Sequence, residues 1–411
     1  MKNKEILLTQ LLFLLFVGSL GSLTSFLNLY LEQVVGLTGS QIGFIMFSGA
    51  IVTVVMNPIW GFVADKTGKH LLLLKMAFLS AAVVGTFYWA SRSFFLIVVV
   101  SVLFEALRAP TMPMLEYIST NSCAKHNYSY GKVRVFASIG FLVVATLTGL
   151  MVAGLDIELF NRQFGFPGFI GIEFATFGIF IIMSIITLGL LFMFPKGEPV
   201  SEDDPKEVVE VDKKAVWALF KNKQFIFIVT LSMIGMMTVE AAYSFAPMHL
   251  VTVLGAPESV VSLITVFLVT PELFLLPIGA ALVLKYGFKT WYVFSFSTMI
   301  LRLIIYSFAQ TPLLFAMGGM VHVFMIIMHT IGTLAYIRKV VPVHVLGLAL
   351  AIMASATALS RAIISFSFGW IYENISSFAM FQTATVLLII GLVMTVKSKD
   401  LKVVGDQIRS I

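Results

Sequence analysis

The chain has 411 residues, of which 59% are hydrophobic and only 12% charged, with a formal net charge of +6. A soluble fold is excluded, because so few charges leave about a dozen long apolar stretches that water could not cover. The single cysteine, Cys123, excludes an internal disulfide and a cysteine-based metal site, and it reads as a bystander rather than a nucleophile.

Crossing a bilayer core of about 30 Å takes roughly 20 apolar residues as a helix. In chain order the candidate spans are 6–31, 39–63, 71–90, 94–121, 132–154, 169–194, 225–250, 259–284, 290–309, 312–336, 345–370 and 377–396. Barrel strands would be about 10 residues long with alternating polarity, so these are helices. The predicted class is an all-α integral membrane protein with twelve transmembrane helices. The first stretch runs apolar past Leu31 without a small-residue cleavage site, and it reads as a retained helix rather than a signal peptide.

Lys and Arg fix the expected orientation. With the first residues inside, twenty of the 27 bases fall in inside segments, and two, Arg92 and Arg162, fall outside. The positive-inside rule then places both termini in the cytoplasm of a multi-pass cell-membrane protein. This asymmetry accounts for the net charge, so no nucleic-acid partner is implied.

The longest polar interruption, 195–224, reads as a cytoplasmic linker with a short amphipathic helix near Val216 to Phe220. It divides the chain into an N-terminal six-helix bundle, 1–194, and a C-terminal one, 225–396, followed by a cytoplasmic tail, 397–411. No phosphate-binding P-loop occurs, so energy is expected from an ion or solute gradient. No cofactor is expected beyond a proton as coupling ion, and no metal, since His322 and His329 lack a third ligand at usable spacing. No paired nucleophile and base emerges, so an enzyme is not expected.

Between the second and third spans stands Gly61-Phe62-Val63-Ala64-Asp65-Lys66-Thr67-Gly68-Lys69-His70. This segment resembles the loop signature of the major facilitator superfamily, with His70 at one expected base, and the likeness extends over almost the whole chain. It implies two six-helix bundles that work by alternating access as a monomer, with Gly61, Asp65, Lys66, Gly68 and Lys69 forming a gating loop. The corresponding segment Lys285 to Lys289 has Leu284 where the acid would stand, so the gate is asymmetric.

A narrower likeness lies at Tyr130-Gly131-Lys132-Val133-Arg134-Val135-Phe136-Ala137-Ser138-Ile139-Gly140-Phe141, which is similar to the start of the fifth helix in lactose permease and its phenylpropionate and nucleoside permease-like relatives. In that family an acid eighteen residues before the Arg helps hold the sugar, and here that position is Glu116. The resemblance implies Glu116 and Arg134 as substrate ligands, with Phe141 where the family has a stacking Trp. In the second half it implies Glu272 on the eighth span, Arg302 on the ninth and His322, twenty residues on, on the tenth. The family's coupling acid falls on Met325 and its helix-ten Lys on Gly319, so the usual proton carrier is missing.

Read without the family, the fourth span carries Glu105, Arg108, Met112 and Glu116 on one stripe at 100° per residue. Charges within a span cost about 2.5–3.5 kcal/mol each on insertion scales, so this stripe should face a water-filled cavity or an internal partner. Glu105 and Arg108 read either as cavity charges or as a structural i, i+3 pair, and Glu116 either as a ligand or as an acid solvated near the inner surface. Glu272 and Glu240 are the proton-coupling candidates, with Arg302 as the switching cation and no Lys facing Glu240. His322 is expected to orient one of these groups. His329 reads as cavity lining or a helix contact, and Arg361 as a cavity charge or a snorkelling one. Pro58, Pro110, Pro113, Pro271 and Pro277 are expected to bend spans.

The expected function is proton-coupled symport of a small hydrophilic solute, namely a sugar, oligosaccharide or glycoside. A nucleoside or aromatic-acid symporter, a drug/proton antiporter and a non-transporting sensor of the same fold are the alternatives.

Overall fold

The computed structural model describes residues 2–159, 162–194, 217, 219–342 and 345–398. Most of the linker, the tail beyond 398 and the side chain of Asp65 therefore lie outside the described residues. Eleven helices among them are long and apolar enough to span a membrane, and a twelfth span is made by a bent pair. The chain is an all-helical membrane protein, with one departure. Residues after the fifth span form an antiparallel hairpin of β1 (Gly154–Leu159) and β2 (Arg162–Pro167).

Contacts group the chain into two compact units, Met1–Pro205 with Pro247–Val266, and Lys206–Ala246 with Phe267–Ile411. The end of the seventh span and start of the eighth belong to unit one, in which Thr252 Oγ1 donates to Glu32 at 2.8 Å and the Ser25 and Thr265 hydroxyls are 3.5 Å apart.

In unit one, α1 (Lys2–Gln33) packs against α6 (Tyr130–Ala153) through glycines. A Cβ on Gly21 would lie 2.6 Å from the Phe141 carbonyl oxygen, and one on Gly140 would clash with the Leu14 carbonyl oxygen. Without hydrophobic driving force between helices in lipid, such close backbone approach supplies the association through dispersion. The glycines near Gly18 are thus used inside the chain. Around this seam lie buried Leu12, Phe13, Phe16, Phe78, Leu115 and Ala137. Large apolar side chains such as Phe95 (76% exposed) point outward, as lipid-facing residues do.

Helix α2 (Gly39–Thr67) begins at a capping box: the Gln41 N–H donates to Thr38 Oγ1 at 3.4 Å, and the Thr38 N–H to Gln41 Oε1 at 3.0 Å. It ends at Gly68, whose φ of +64° is the left-handed cap that L side chains resist. Thr38→Ala is expected to destabilise the protein by about 1 kcal/mol, measured as a small drop in thermal midpoint with transport retained.

Prolines mark one helix break and one bend. The fourth span divides into α4 (Phe94–Arg108) and α5 (Thr111–Lys125), separated by Ala109 and Pro110. Pro110 has no N–H to continue the ladder. In unit two the eighth span is Val261–Leu275, mostly within that unit, then a tight turn holding Pro277, then Gly279–Tyr286 at 71° to the first part. The tenth span is the most irregular: α-helical Pro312–Met317, a 3-10 turn Gly318–Val321, helix His322–Ile327, a π turn Met328–Gly332 and helix Thr333–Val340. The ninth (Phe288–Phe308), eleventh (Leu346–Asn374) and twelfth (Ser377–Lys397) are continuous.

Candidate functional site

The charged groups inside the spans sort into separate pairs. In unit one the break at Ala109 and Pro110 interrupts the stripe expected on the fourth span. Glu105 and Arg108 sit before it and bind each other at 2.5 Å, with Thr53 Oγ1 donating to Glu105 at 3.4 Å. Gly49 stands opposite, where a Cβ would be 3.1 Å from the Glu105 side chain. Of the two readings open for this pair, the geometry is that of the i, i+3 ion pair.

Glu116 sits after the break on α5 and meets Arg134 of α6, Nε to Oε1, at 4.0 Å. Both side chains are about 40% exposed or more, so the pair is loose and open on one side. The Arg134 guanidinium also lies over the Phe13 ring, 5.6 Å from its centroid. Phe141, seven residues along α6 from Arg134, returns to nearly the same helix face and is half-buried.

Of the expected gating loop, Gly61 and Lys66 lie within α2 and only Gly68 and Lys69 form the short connection to the third span; all four are exposed. His70, expected in place of a base, is instead buried and stacked on Tyr117 with ring centroids 4.0 Å apart. A cavity of about 180 Å³ adjoins it, lined by Asn57, Trp60, Gly61, His70 and Tyr117.

Unit two holds two polar clusters. In the first, Arg302 is fully buried; one terminal nitrogen lies 3.0 Å from His322 Nδ1, and the other donates to Tyr306 Oη at 3.0 Å. Arginine can only donate, so Nδ1 accepts and the neutral ring carries its proton on Nε2. That nitrogen faces Glu272 Oε1 at 3.7 Å. Tyr306 in turn stacks on Phe315 at 3.9 Å.

The second cluster corrects the expected partners of Glu240. Its Oε2 meets Arg361 Nε at 3.3 Å, and its Oε1 accepts from Ser244 Oγ at 2.6 Å. Among the described residues Arg361, not Arg302, is the cation on Glu240. Sequence reasoning could not find it because the seventh and eleventh spans are over a hundred residues apart and no local register connects them. His329 lies in the π turn, its Nδ1 2.7 Å from Ser232 Oγ of the seventh span. Met325, at the position of the missing coupling acid, is 3% exposed, and its sulfur fills the space beside Gly235, 2.9 Å from where a Cβ would be.

One cluster was not anticipated. Glu5 accepts from Ser122 Oγ at 2.9 Å, lies 2.7 Å from His126 Nε2 and 3.7 Å from Lys125 Nζ, tying α1 to the end of α5.

The model of the MFS_1 like family matches residues 6–383. The chain belongs to this family. As a member of it, the chain is a secondary transporter of the major facilitator superfamily, and the two-unit helical architecture is that of the superfamily. It is 24% identical over 386 residues to the uncharacterized transporter YwbF of Bacillus subtilis (strain 168), covering 92% of this chain and 90% of that one. Over 139 residues it is 32% identical to the maltose permease of Geobacillus stearothermophilus, 34% of this chain and 35% of that protein. The crystal structure of the nucleoside transporter NupG superposes with a TM-score of 0.78 at 17% identity, covering 96% of this chain and 99% of that one, a likeness of fold.

Proposed function

We propose that this transporter moves a small hydroxylated solute, a sugar, oligosaccharide or glycoside, together with a proton. The observation that carries the reading is the loose, half-exposed Glu116 and Arg134 pair, 4.0 Å apart, with Phe141 two turns away on the same helix face. A carboxylate and a guanidinium side by side can accept from and donate to neighbouring hydroxyls, and an aromatic ring covers the apolar face of a pyranose. A loose pair also costs little to open when a solute oxygen enters between its members. The 32% identical stretch of a maltose permease supports the same solute class. The skew of Lys and Arg supports cytoplasmic termini.

For the proton, Glu240 is the better candidate. Its carboxylate is 17% exposed and ion-paired with Arg361, whose side chain is 45% exposed, so the pair has an open side. Met325 is packed as core and takes no part.

The test is uptake into proteoliposomes of radiolabelled maltose, xylose, uridine and phenylpropionate, with and without an inward proton gradient. Gradient-stimulated accumulation of maltose or xylose is expected. Glu116→Gln should weaken apparent affinity about 10- to 100-fold, since hydrogen bonds to charged groups contribute about 1.5–3 kcal/mol. Accumulation of uridine or phenylpropionate alone would replace the sugar by that class, and normal sugar affinity in the Gln variant would remove Glu116 from the site.

A further inference from the structure

Resting on the solute reading above, we propose that the second unit grips the solute through Arg361 and His329, and that Glu272 and His322, the residues the family likeness implied, are part of the scaffold. The two arginines of this unit are held in opposite ways. Arg302 is fully buried, with its two terminal nitrogens committed to His322 and Tyr306. Arg361 binds Glu240 through Nε, and among the described residues its two terminal nitrogens make no hydrogen bond while the side chain is 45% exposed. It lies near the middle of the Leu346–Asn374 helix, where a guanidinium against lipid is costly, so the open edge faces water or solute.

His329 supplies the second group. The π turn Met328–Gly332 inserts an extra residue per turn and re-aims this side chain, a distortion frequent at functional sites. Ser232 occupies Nδ1, leaving Nε2 to donate or accept. A polar station therefore lines this unit along the seventh span: Glu240 with Arg361 of the eleventh, and Ser232, about 12 Å along the same helix, with His329 of the tenth.

The chemistry of this station selects a solute class. Glu240 neutralises Arg361, so the station is close to neutral and favours uncharged polyols over carboxylates. The fork of two free guanidinium nitrogens matches two vicinal hydroxyl oxygens, and His329 Nε2 offers a third contact. A glycoside fits; an aromatic acid does not.

Phenylglyoxal, which adds across the two terminal nitrogens of arginine, tests the site on the purified full-length protein without knowledge of the solute. Peptide mapping is expected to show Arg361 modified and Arg302 spared; the reverse pattern overturns the proposal. Uptake of radiolabelled maltose and xylose then reads the role. Arg361→Lys keeps the charge that Glu240 needs but loses the fork, and it should raise KM about 30-fold with the maximal rate kept. His329→Asn should raise KM about 10-fold, whereas Glu272→Gln should stay within about threefold. A KM for Arg361→Lys within about threefold of the wild type, or no slowing of Arg361 labelling by a solute the wild type carries, overturns the assignment. A wild type that carries neither sugar refutes the sugar reading, and the labelling contrast between Arg361 and Arg302 still decides the site.

Discussion

Gly140→Leu is expected to yield no monodisperse protein, and Gly140→Ala to destabilise by about 3 kcal/mol or more. The ordinary cost of an oversized residue in a packed core is moderated by side chains that shift into other rotamers. Here the obstacle is backbone: the added Cβ would clash with the Leu14 carbonyl oxygen of α1, with Leu14 Cα also 2.8 Å away. A helix carbonyl cannot rotate away without breaking its own ladder, so α1 and α6 must separate along the seam that also holds Gly18 and Gly21. The same helix carries Arg134 and Phe141, so the candidate ligands would lose their position together with the fold. Gly61→Ala is the control, since nothing lies within 4 Å of a Cβ there. Fluorescence-detected size exclusion and thermal unfolding in detergent check both. A Gly140→Leu protein that elutes and melts like the wild type would contradict the seam.

The spans were legible because length and hydropathy alone dictate them in a bilayer, and the cap at Gly68 and the bend at Pro277 follow from single residues. Glu116 with Arg134, and the positions of Arg302 and His322, were legible through the lactose permease resemblance, whose spacings this chain keeps. The stripe from Glu105 to Glu116 was drawn on an unbroken helix, and Pro110 divides it. The hairpin at 154–167 has a signal that was available, the alternation of Leu155, Ile157 and Leu159. Arg361 on Glu240 had none, since that contact exists only once the seventh and eleventh spans pack. The π turn at His329 is equally silent in the sequence, because it changes which face a residue presents without changing which residue it is.

Arg302→Met is expected to lower stability by about 3–5 kcal/mol, the cost of removing one partner from a buried charged cluster. Methionine replaces most of the volume but none of the hydrogen bonds. It strips the donor from His322 Nδ1 and from the Tyr306 hydroxyl, both buried, and the cation stacked 4.9 Å above the Tyr306 ring. Arg302→Lys should recover little, because a single ammonium cannot span two acceptors on opposite sides of a planar fork. The variant separates two roles for this residue. If Arg302 is scaffold, the thermal midpoint falls in both variants, and transport per folded molecule stays near the wild type. If it is the switching cation for proton coupling, as the sequence reading had it, stability changes little while accumulation against a gradient disappears and exchange persists. Measuring uptake and counterflow on the same detergent-stable fraction distinguishes these outcomes, and the full burial of Arg302 argues for the first, since a cation that exchanges partners during a cycle needs somewhere to move.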